Sequence, residues 1–298
     1  MGGVLYISYN TQSGWAAMVP LRDLLAGHGD IMGSSGQGIV SRINAAIDFA
    51  EKLLTTNPTY GRANPQVAER LKALKGQNRN YLAHEYFNRD WLPMSFAAMA
   101  QWLGSAKLDF AGLANFLDHI SAINITSEQQ VFLNAIPDAL FRETVRDFMV
   151  NQQFRKDYWV KGARRLDPLE QAEGLRKQKV MLVQHRPDVS LKVKGALGEA
   201  TMQEAVYYPI LDFLADHQPR SLRQIEQAMK DKGIAFAQIR EAAMLLCGAG
   251  VLCPVQDDAS ISKARKHTDK LNAYLMNKSQ GSNDINYLAS PVTGGGIL

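Results

Sequence analysis

Cysteine is scarce: only Cys247 and Cys253 occur in 298 residues, spaced around Gly248-Ala249-Gly250. That excludes a disulfide framework and a CxxC metal or redox pair, and it fits a reducing cytoplasm. Long apolar runs are missing too. None approaches the roughly 18 residues a membrane-spanning helix needs, so no membrane partner is expected. The opening Met1-Gly2-Gly3-Val4-Leu5-Tyr6 has no basic stretch before its short apolar run, and Tyr6 breaks the myristoylation pattern. Charge of one sign is scarce as well. Lys plus Arg number 33 against 29 Asp plus Glu, a formal +4 that neither requires nor excludes a polyanion.

Chemical motifs are equally thin. The six histidines (28, 84, 119, 185, 217 and 267) show no metal-binding helical spacing and none adjoins a cysteine. No metal site is expected. No serine has a GxSxG setting, so nucleophilic catalysis has no support. Asp and Glu are scattered without a recognisable catalytic pair. Gly33-Ser34-Ser35-Gly36-Gln37-Gly38 precedes a helix, where free backbone N–H groups could hold an anion. It lacks the GxGxxG spacing and no apolar strand leads into it, so it reads as a loop.

What is present is an ordinary folded composition, 46% hydrophobic and 21% charged, in a chain long enough for two or three domains. Val4 to Tyr9 reads as a short buried strand. Ile39, Ile43, Ala46, Ile47, Ala50 and Leu54 recur at helical spacing, and Thr55 to Ala63 reads as a linker. Asn64-Pro65 opens a helix to about Lys75, Trp91 to Gly104 is apolar and helical, and Lys107 to Ala114 alternates like a strand. Phe141, Val145, Phe148 and Met149 mark one face of a long helix. In Phe154 to Gly162 the aromatics are expected to pack and the ions to pair at the surface. Val180 to Lys194 has period two around Arg186-Pro187-Asp188 and predicts a β-hairpin.

Ser127 with Gln130, and Ser221 with Gln224, form capping boxes. The order helix, helix, helix, strand from Val206 to Val255 outlines a winged helix. Its third helix offers only Gln238, Arg240 and Glu241 outward, a poor DNA-reading surface, so nucleic acid is disfavoured. A basic helix around Lys263 to Lys278 and a Ser/Asn/Gly-rich tail close the chain.

Gly2-Gly3-Val4-Leu5-Tyr6-Ile7-Ser8-Tyr9-Asn10-Thr11-Gln12-Ser13-Gly14-Trp15 resembles the segment that closes the catalytic domain of certain bacterial class I methyltransferases, with Ser13 where those have proline. Tyr86 to Trp91, Ala106 to Phe110, Arg146-Asp147-Phe148 and Phe154 to Gly162 resemble, in the same order, the regulatory domain attached to those enzymes. Members include protein-lysine methyltransferases. The resemblance implies an α+β, mainly helical chain. Residues 1–56 would be a remnant of the class I methyltransferase sheet edge, 64–202 a helical regulatory domain, 203–256 a winged-helix-like module, and 257–298 the basic helix and tail.

It further implies a regulatory or substrate-recognition portion of a SAM-dependent methyltransferase. The partners would be a protein substrate offering lysine side chains and a separate catalytic half that holds S-adenosylmethionine. The Gly-rich cofactor loop should precede Val4, so this chain by itself is expected to bind no cofactor and to catalyse nothing. Ser8, Tyr9, Asn10 and Trp15 would shape the acceptor pocket, against the plainer reading that Tyr9 and Trp15 only pack. The alternatives are a winged-helix DNA-binding regulator and a non-catalytic interaction module.

Overall fold

The computed structural model describes residues 2–34, 36–281 and 285–297. In chain order the elements are β1 (Val4–Asn10), α1 (Gln12–Trp15), α2 (Val19–Ile31), α3 (Ile39–Thr55), α4 (Thr59–Ala63), α5 (Gln66–Lys75), α6 (Arg79–Glu85), α7 (Phe96–Ser105), β2 (Leu108–Leu113), α8 (Ser121–Asn124), α9 (Ser127–Asn134), α10 (Ala139–Met149) and β3 (Phe154–Lys161). There follow α11 (Pro168–Lys177), β4 (Lys179–Leu182), β5 (Lys192–Gly195), β6 (Gly198–Thr201), α12 (Glu204–Phe213), β7 (Arg220–Ser221), α13 (Leu222–Met229), α14 (Phe236–Gly248), β8 (Leu252–Pro254), α15 (Asp258–Ser279), β9 (Leu288–Ser290) and β10 (Gly295–Ile297). The chain is mixed α/β and mainly helical, in two units: Met1–Gly112 with Glu128–Gly162, and Leu113–Ser127 with Ala163–Leu298.

The first unit has a three-stranded sheet of order β1-β3-β2 and two apolar clusters. One cluster joins Trp15, Leu21, Leu25, Ile43, Ile47, Leu71, Leu74 and Leu82. Of the predicted α3 stripe, Ile43, Ala46, Ile47 and Ala50 are buried, Leu54 is partly buried and Ile39 is 40% exposed. The stretch read as a linker contains α4, and residues before and after it share this one core. The other cluster gathers Tyr9, Met94, Phe96, Met99 and Trp159 beneath the sheet. The helix expected from Trp91 starts only at Phe96. Pro93 disfavours helical geometry before it, and the Ser95 side chain caps the helix by accepting from the Ala98 N–H at 3.1 Å.

β1 is not the fully buried strand its apolar run suggests. Its residues alternate, with Val4 71% and Tyr6 50% exposed on one face and Tyr9 buried on the other. α10 departs further: Phe141 and Phe148 point to solvent, and the buried residues of the helix are Arg146 and Asp147.

In the second unit β4 lies between β7 and β8, antiparallel to both. The core joins Leu182, Ile210, Leu211, Ile225, Ile239, Leu246 and Leu252. The hairpin expected over Val180 to Lys194 does not form. β4 takes sequence-remote partners, and β5 pairs instead with β6. The tighter turn wins: Gly195 faces Gly198, which holds φ at +111°, a conformation that costs glycine little. The Ser221–Gln224 capping box forms as read. No helix among the described residues is long and apolar enough to cross a membrane.

Candidate functional site at the end of the first strand

β1 and β3 pair along their whole length, with Tyr9 opposite Arg155 and Ile7 opposite Asp157. Residues directly opposite in an antiparallel pair share a face. Tyr9, Arg155, Asp157 and Trp159 therefore all point to the buried side, while Tyr6, Ser8, Phe154 and Tyr158 point outward. This reverses the expectation for the run from Phe154. The ions are enclosed, with Arg155 and Asp157 both 0% exposed, and the aromatics Phe154 and Tyr158 are the exposed residues.

A buried charge is tolerated only when it is paired and hydrogen-bonded. Arg155 meets that demand with every donor group. Its Nε donates to both Asp157 oxygens (3.1 and 3.0 Å), Nη1 to Asp147 Oδ1 (2.6 Å) and Nη2 to Glu143 Oε2 (2.9 Å). The Tyr9 hydroxyl donates to Asp157 Oδ2 at 2.9 Å. The face of the guanidinium lies 4.3 Å from the centre of the Phe96 ring, which stacks on Trp159. One guanidinium thus serves three carboxylates from two elements, α10 and β3.

Burial pushes the Asp147 carboxyl up to about 6, against the pull of Arg155, and the Glu143 charge pushes the same way. Burial also raises Asp157, again opposed by Arg155. Burial and the Asp157 charge hold the Tyr9 phenol well above its ordinary range, so it is a donor at any physiological pH.

A carboxyl whose pKa is higher in the folded state than in the unfolded chain favours folding below the unfolded value. That contribution is lost as pH rises through the folded value. For Asp147 the window runs from about 4 to about 6, and a shift of about two units corresponds to ~3 kcal/mol. Asp147→Asn is therefore expected to flatten the fall in unfolding free energy between pH 4 and 7, measured by urea titration at several pH values. An unchanged slope would show that Asp147 does not titrate there.

Beyond Asn10 the chain is clamped from both sides. Met94 N–H donates to Asn10 O (2.9 Å) and Gln12 N–H to Met94 O (3.2 Å). Gly14 N–H and the hydroxyls of Thr11 and Ser13 all donate to Gln152 O. The clamp delivers Trp15 into a pocket of rings. Tyr86 and Trp91 lie 5.5 and 5.0 Å away, and the Arg70 guanidinium covers the indole at 4.0 Å. Beside this turn a cavity of about 690 Å³ is lined by Ser13, Gly14, Asn64, Glu69, Arg70 and Gln153. Arg70 is engaged with Gln153 Oε1 and the Tyr86 hydroxyl. Glu69 forms no ion pair among the described residues.

Of the residues expected to shape an acceptor pocket, Ser8 is exposed and Asn10 half-buried, while Tyr9 and Trp15 are buried in separate clusters. Sequence reasoning missed Arg155, Asp157, Asp147 and Glu143 as one ionic cluster. The signal was there: Arg155, Asp157 and Trp159 alternate with Phe154, Lys156 and Tyr158 at a strict period of two. Among the described residues no group of three or more His, Cys, Asp or Glu could hold a metal ion. The Gly33 to Gly38 loop follows α2, not a strand, and its Ser35 lies outside the described residues.

The stretch from α6 to β3, which supplies Phe96, Asp147, Arg155 and Trp159, matches over residues 78–161 the family model described as "Predicted methyltransferase regulatory domain". Residues 78–161 are a methyltransferase regulatory domain. The protein sll1526 of Synechocystis sp. is 39% identical over 297 residues, covering 100% of this chain. This chain spans only 58% of that relative's length.

Two solved structures share the fold of this chain. PKMT2 from Rickettsia typhi in complex with AdoHcy is 17% identical, with a TM-score of 0.57 over 85% of this chain and 52% of that one. A second structure of PKMT2 from Rickettsia typhi is 16% identical, with a TM-score of 0.60 over 99% of this chain and 61% of that one.

Proposed function

We propose that this chain is the regulatory and substrate-recognition part of a SAM-dependent protein methyltransferase of the protein-lysine type, with the cofactor held outside these residues. The observation that carries the reading is the open edge of β1. The sheet order β1-β3-β2 leaves β1 at the border, with no strand hydrogen-bonded to its other side among the described residues. Its outer face is uncovered and aromatic, with Tyr6 against Tyr158 at 5.7 Å. An open, apolar edge strand is a surface that soluble proteins normally cover, and the strands of a catalytic sheet would cover it.

Fit to the cofactor points the same way. The ladders β1–β3, β4–β7, β4–β8, β5–β6 and β9–β10 are antiparallel, and Thr11 to Met94 is an isolated parallel bridge. A SAM-type site needs parallel strands running into a Gly-rich turn at a helix start. These residues do not fit one.

In this reading Ser8 and Asn10 face the acceptor, while Tyr9, Trp15 and the Arg155 cluster hold their strand and turn in place. Glu69, unpaired in the adjacent cavity, offers the charge that a substrate lysine ammonium requires. Residues 1–56 would complete the catalytic sheet and 64–202 would select substrate. Residues 203–256, three helices against a small sheet, would act as a winged-helix-like protein-binding module, followed by 257–298. The two free thiols fit a cytoplasmic protein.

The test is calorimetry of this chain with S-adenosylmethionine. No heat is expected at about 100 μM protein, where a micromolar site would saturate. The part of the Synechocystis relative that this chain does not match is expected to bind the cofactor, and to methylate lysine peptides only with this chain present. Micromolar binding to this chain alone would overturn the proposal.

A further inference from the structure

The second unit contains a cleft of about 390 Å³ between α8, the β5–β6 hairpin, α12 and α14. Ile123, Val206 and Leu245 supply apolar walls, Tyr207, Arg240 and Glu241 supply a phenol and two charges, and Thr201, Gln203 and Gln238 add neutral polar groups.

Three features set the phenol and the two charges apart. Tyr207 is only 6% exposed, yet its hydroxyl has no hydrogen-bond partner among the described residues. The hydroxyl is not one of the buried polar atoms left without a partner, so the ring is enclosed while its oxygen opens to solvent and is free to bond a ligand. Burial first, and then the nearby Glu241 charge, push this phenol up to about 12, which places Glu241 within electrostatic reach of it. Lastly, Arg240 and Glu241 form no ion pair among the described residues, whereas Arg176–Glu226, Arg186–Asp212 and Lys192–Glu199 in the same unit all do. Opposite charges, adjacent in sequence and both unpaired among the described residues, border one cleft with a hydroxyl free of protein partners on its wall.

We infer that this cleft binds a free α-amino acid with an apolar side chain. The carboxylate lies on Arg240, the ammonium lies on Glu241 with the Tyr207 oxygen accepting a further bond, and the side chain lies between Ile123, Val206 and Leu245. The zwitterion is what the two charges select. A lone ammonium would meet Arg240, and a lone carboxylate would meet Glu241, each an unfavourable like-charge contact. The wall of Ile123, Val206 and Leu245 favours an apolar side chain, since a polar one placed against it would lose water without gaining partners there. The inference is independent of the methyltransferase reading and survives its failure.

The experiment is calorimetry of the full chain with L-leucine and L-phenylalanine, beside two single-charge analogues of leucine, 3-methylbutylamine and 4-methylpentanoate. At least one amino acid is expected to saturate the chain, with each analogue about tenfold weaker or more. Arg240→Gln and Glu241→Gln, both on the exposed rim, are each expected to weaken the amino acid about tenfold. Tyr207→Phe keeps the packing and is expected to weaken it less. Absence of heat with both amino acids overturns the inference. So does an amine that binds as tightly as leucine and is indifferent to Arg240→Gln, which would assign the cleft to an alkylammonium such as a lysine side chain.

Discussion

Arg155→Met is expected to destabilise the first unit by about 3–5 kcal/mol at pH 7, the usual cost of stranding a buried ionic partner. The guanidinium is fully enclosed and donates to Asp157, Asp147 and Glu143 at once. Methionine fills much of its volume and packs well on Phe96, so a cavity contributes little. What remains is three carboxylates facing one another without a cation, two of them almost fully buried.

The pH dependence separates this cause from simple misfit. With Arg155 present, burial already holds Asp147 at about 6 and raises Asp157. Without it, Asp147 and Asp157 rise further, because the pull of the guanidinium is gone. Their protonation then relieves the repulsion, so the variant is expected to recover stability as pH falls from 7 to 5. Chemical unfolding at both pH values measures it. A deficit equal at the two pH values would mean that shape, not charge, was lost. Arg155→Lys is expected to rescue only partly, since a single ammonium cannot reproduce the planar fork that reaches three acceptors.

The second large effect is expected at Gly14, where the turn after β1 meets the backbone before β3. A Cβ there would lie 2.4 Å from Gln152 O and 2.5 Å from Gln153 Cγ. The first neighbour is backbone and already accepts the Gly14 N–H at 2.8 Å, so it cannot withdraw without breaking the clamp. Gly14→Ala is expected to cost about 2–4 kcal/mol through forced backbone displacement. It should also displace Trp15, visible as a shift in tryptophan emission. Gly27→Ala is the control. Gly27 lies inside α2 with nothing within 4 Å of the added atom, and there alanine should stabilise by up to about 1 kcal/mol. Equal stability of the two variants would refute the close approach.

Much of the helical content was legible from residue spacing. The α3 stripe from Ile43 to Ala50 is buried as its period demands, and the Ser221–Gln224 box caps α13. Both signals are local, carried by residues within one or two turns of each other. The order of the motifs from Tyr86 to Gly162 likewise pointed to the methyltransferase regulatory domain that residues 78–161 form. The hairpin was misread because pairing is not local: β4 alternates correctly, but its partners lie about 40 and 70 residues further along the chain.

α10 shows why the site itself was less legible. Phe141 and Phe148 carry the apolar signal of that helix, and by hydrophobicity alone they belong inside. They are outside because the opposite face carries Glu143 and Asp147, the two acids that the buried Arg155 requires. One residue eight positions away from Asp147, on another element, thus sets which face of the helix turns inward.

The sequence by itself therefore determined local segments: the α3 helix and the capped start of α13, the alternation within strands, and that no metal or nucleophile motif is written into the chain. Only the tertiary structure decided that Tyr9, Arg155, Asp157 and Asp147 meet in one enclosed cluster. It also decided that Trp15 lands between Tyr86 and Trp91. The physical reason is that periodicity reports which face of an element is apolar, whereas a buried charge is fixed by partners that no period encodes. Those partners arrive from three places in the chain, β1, α10 and β3, and only folding brings them within hydrogen-bonding distance.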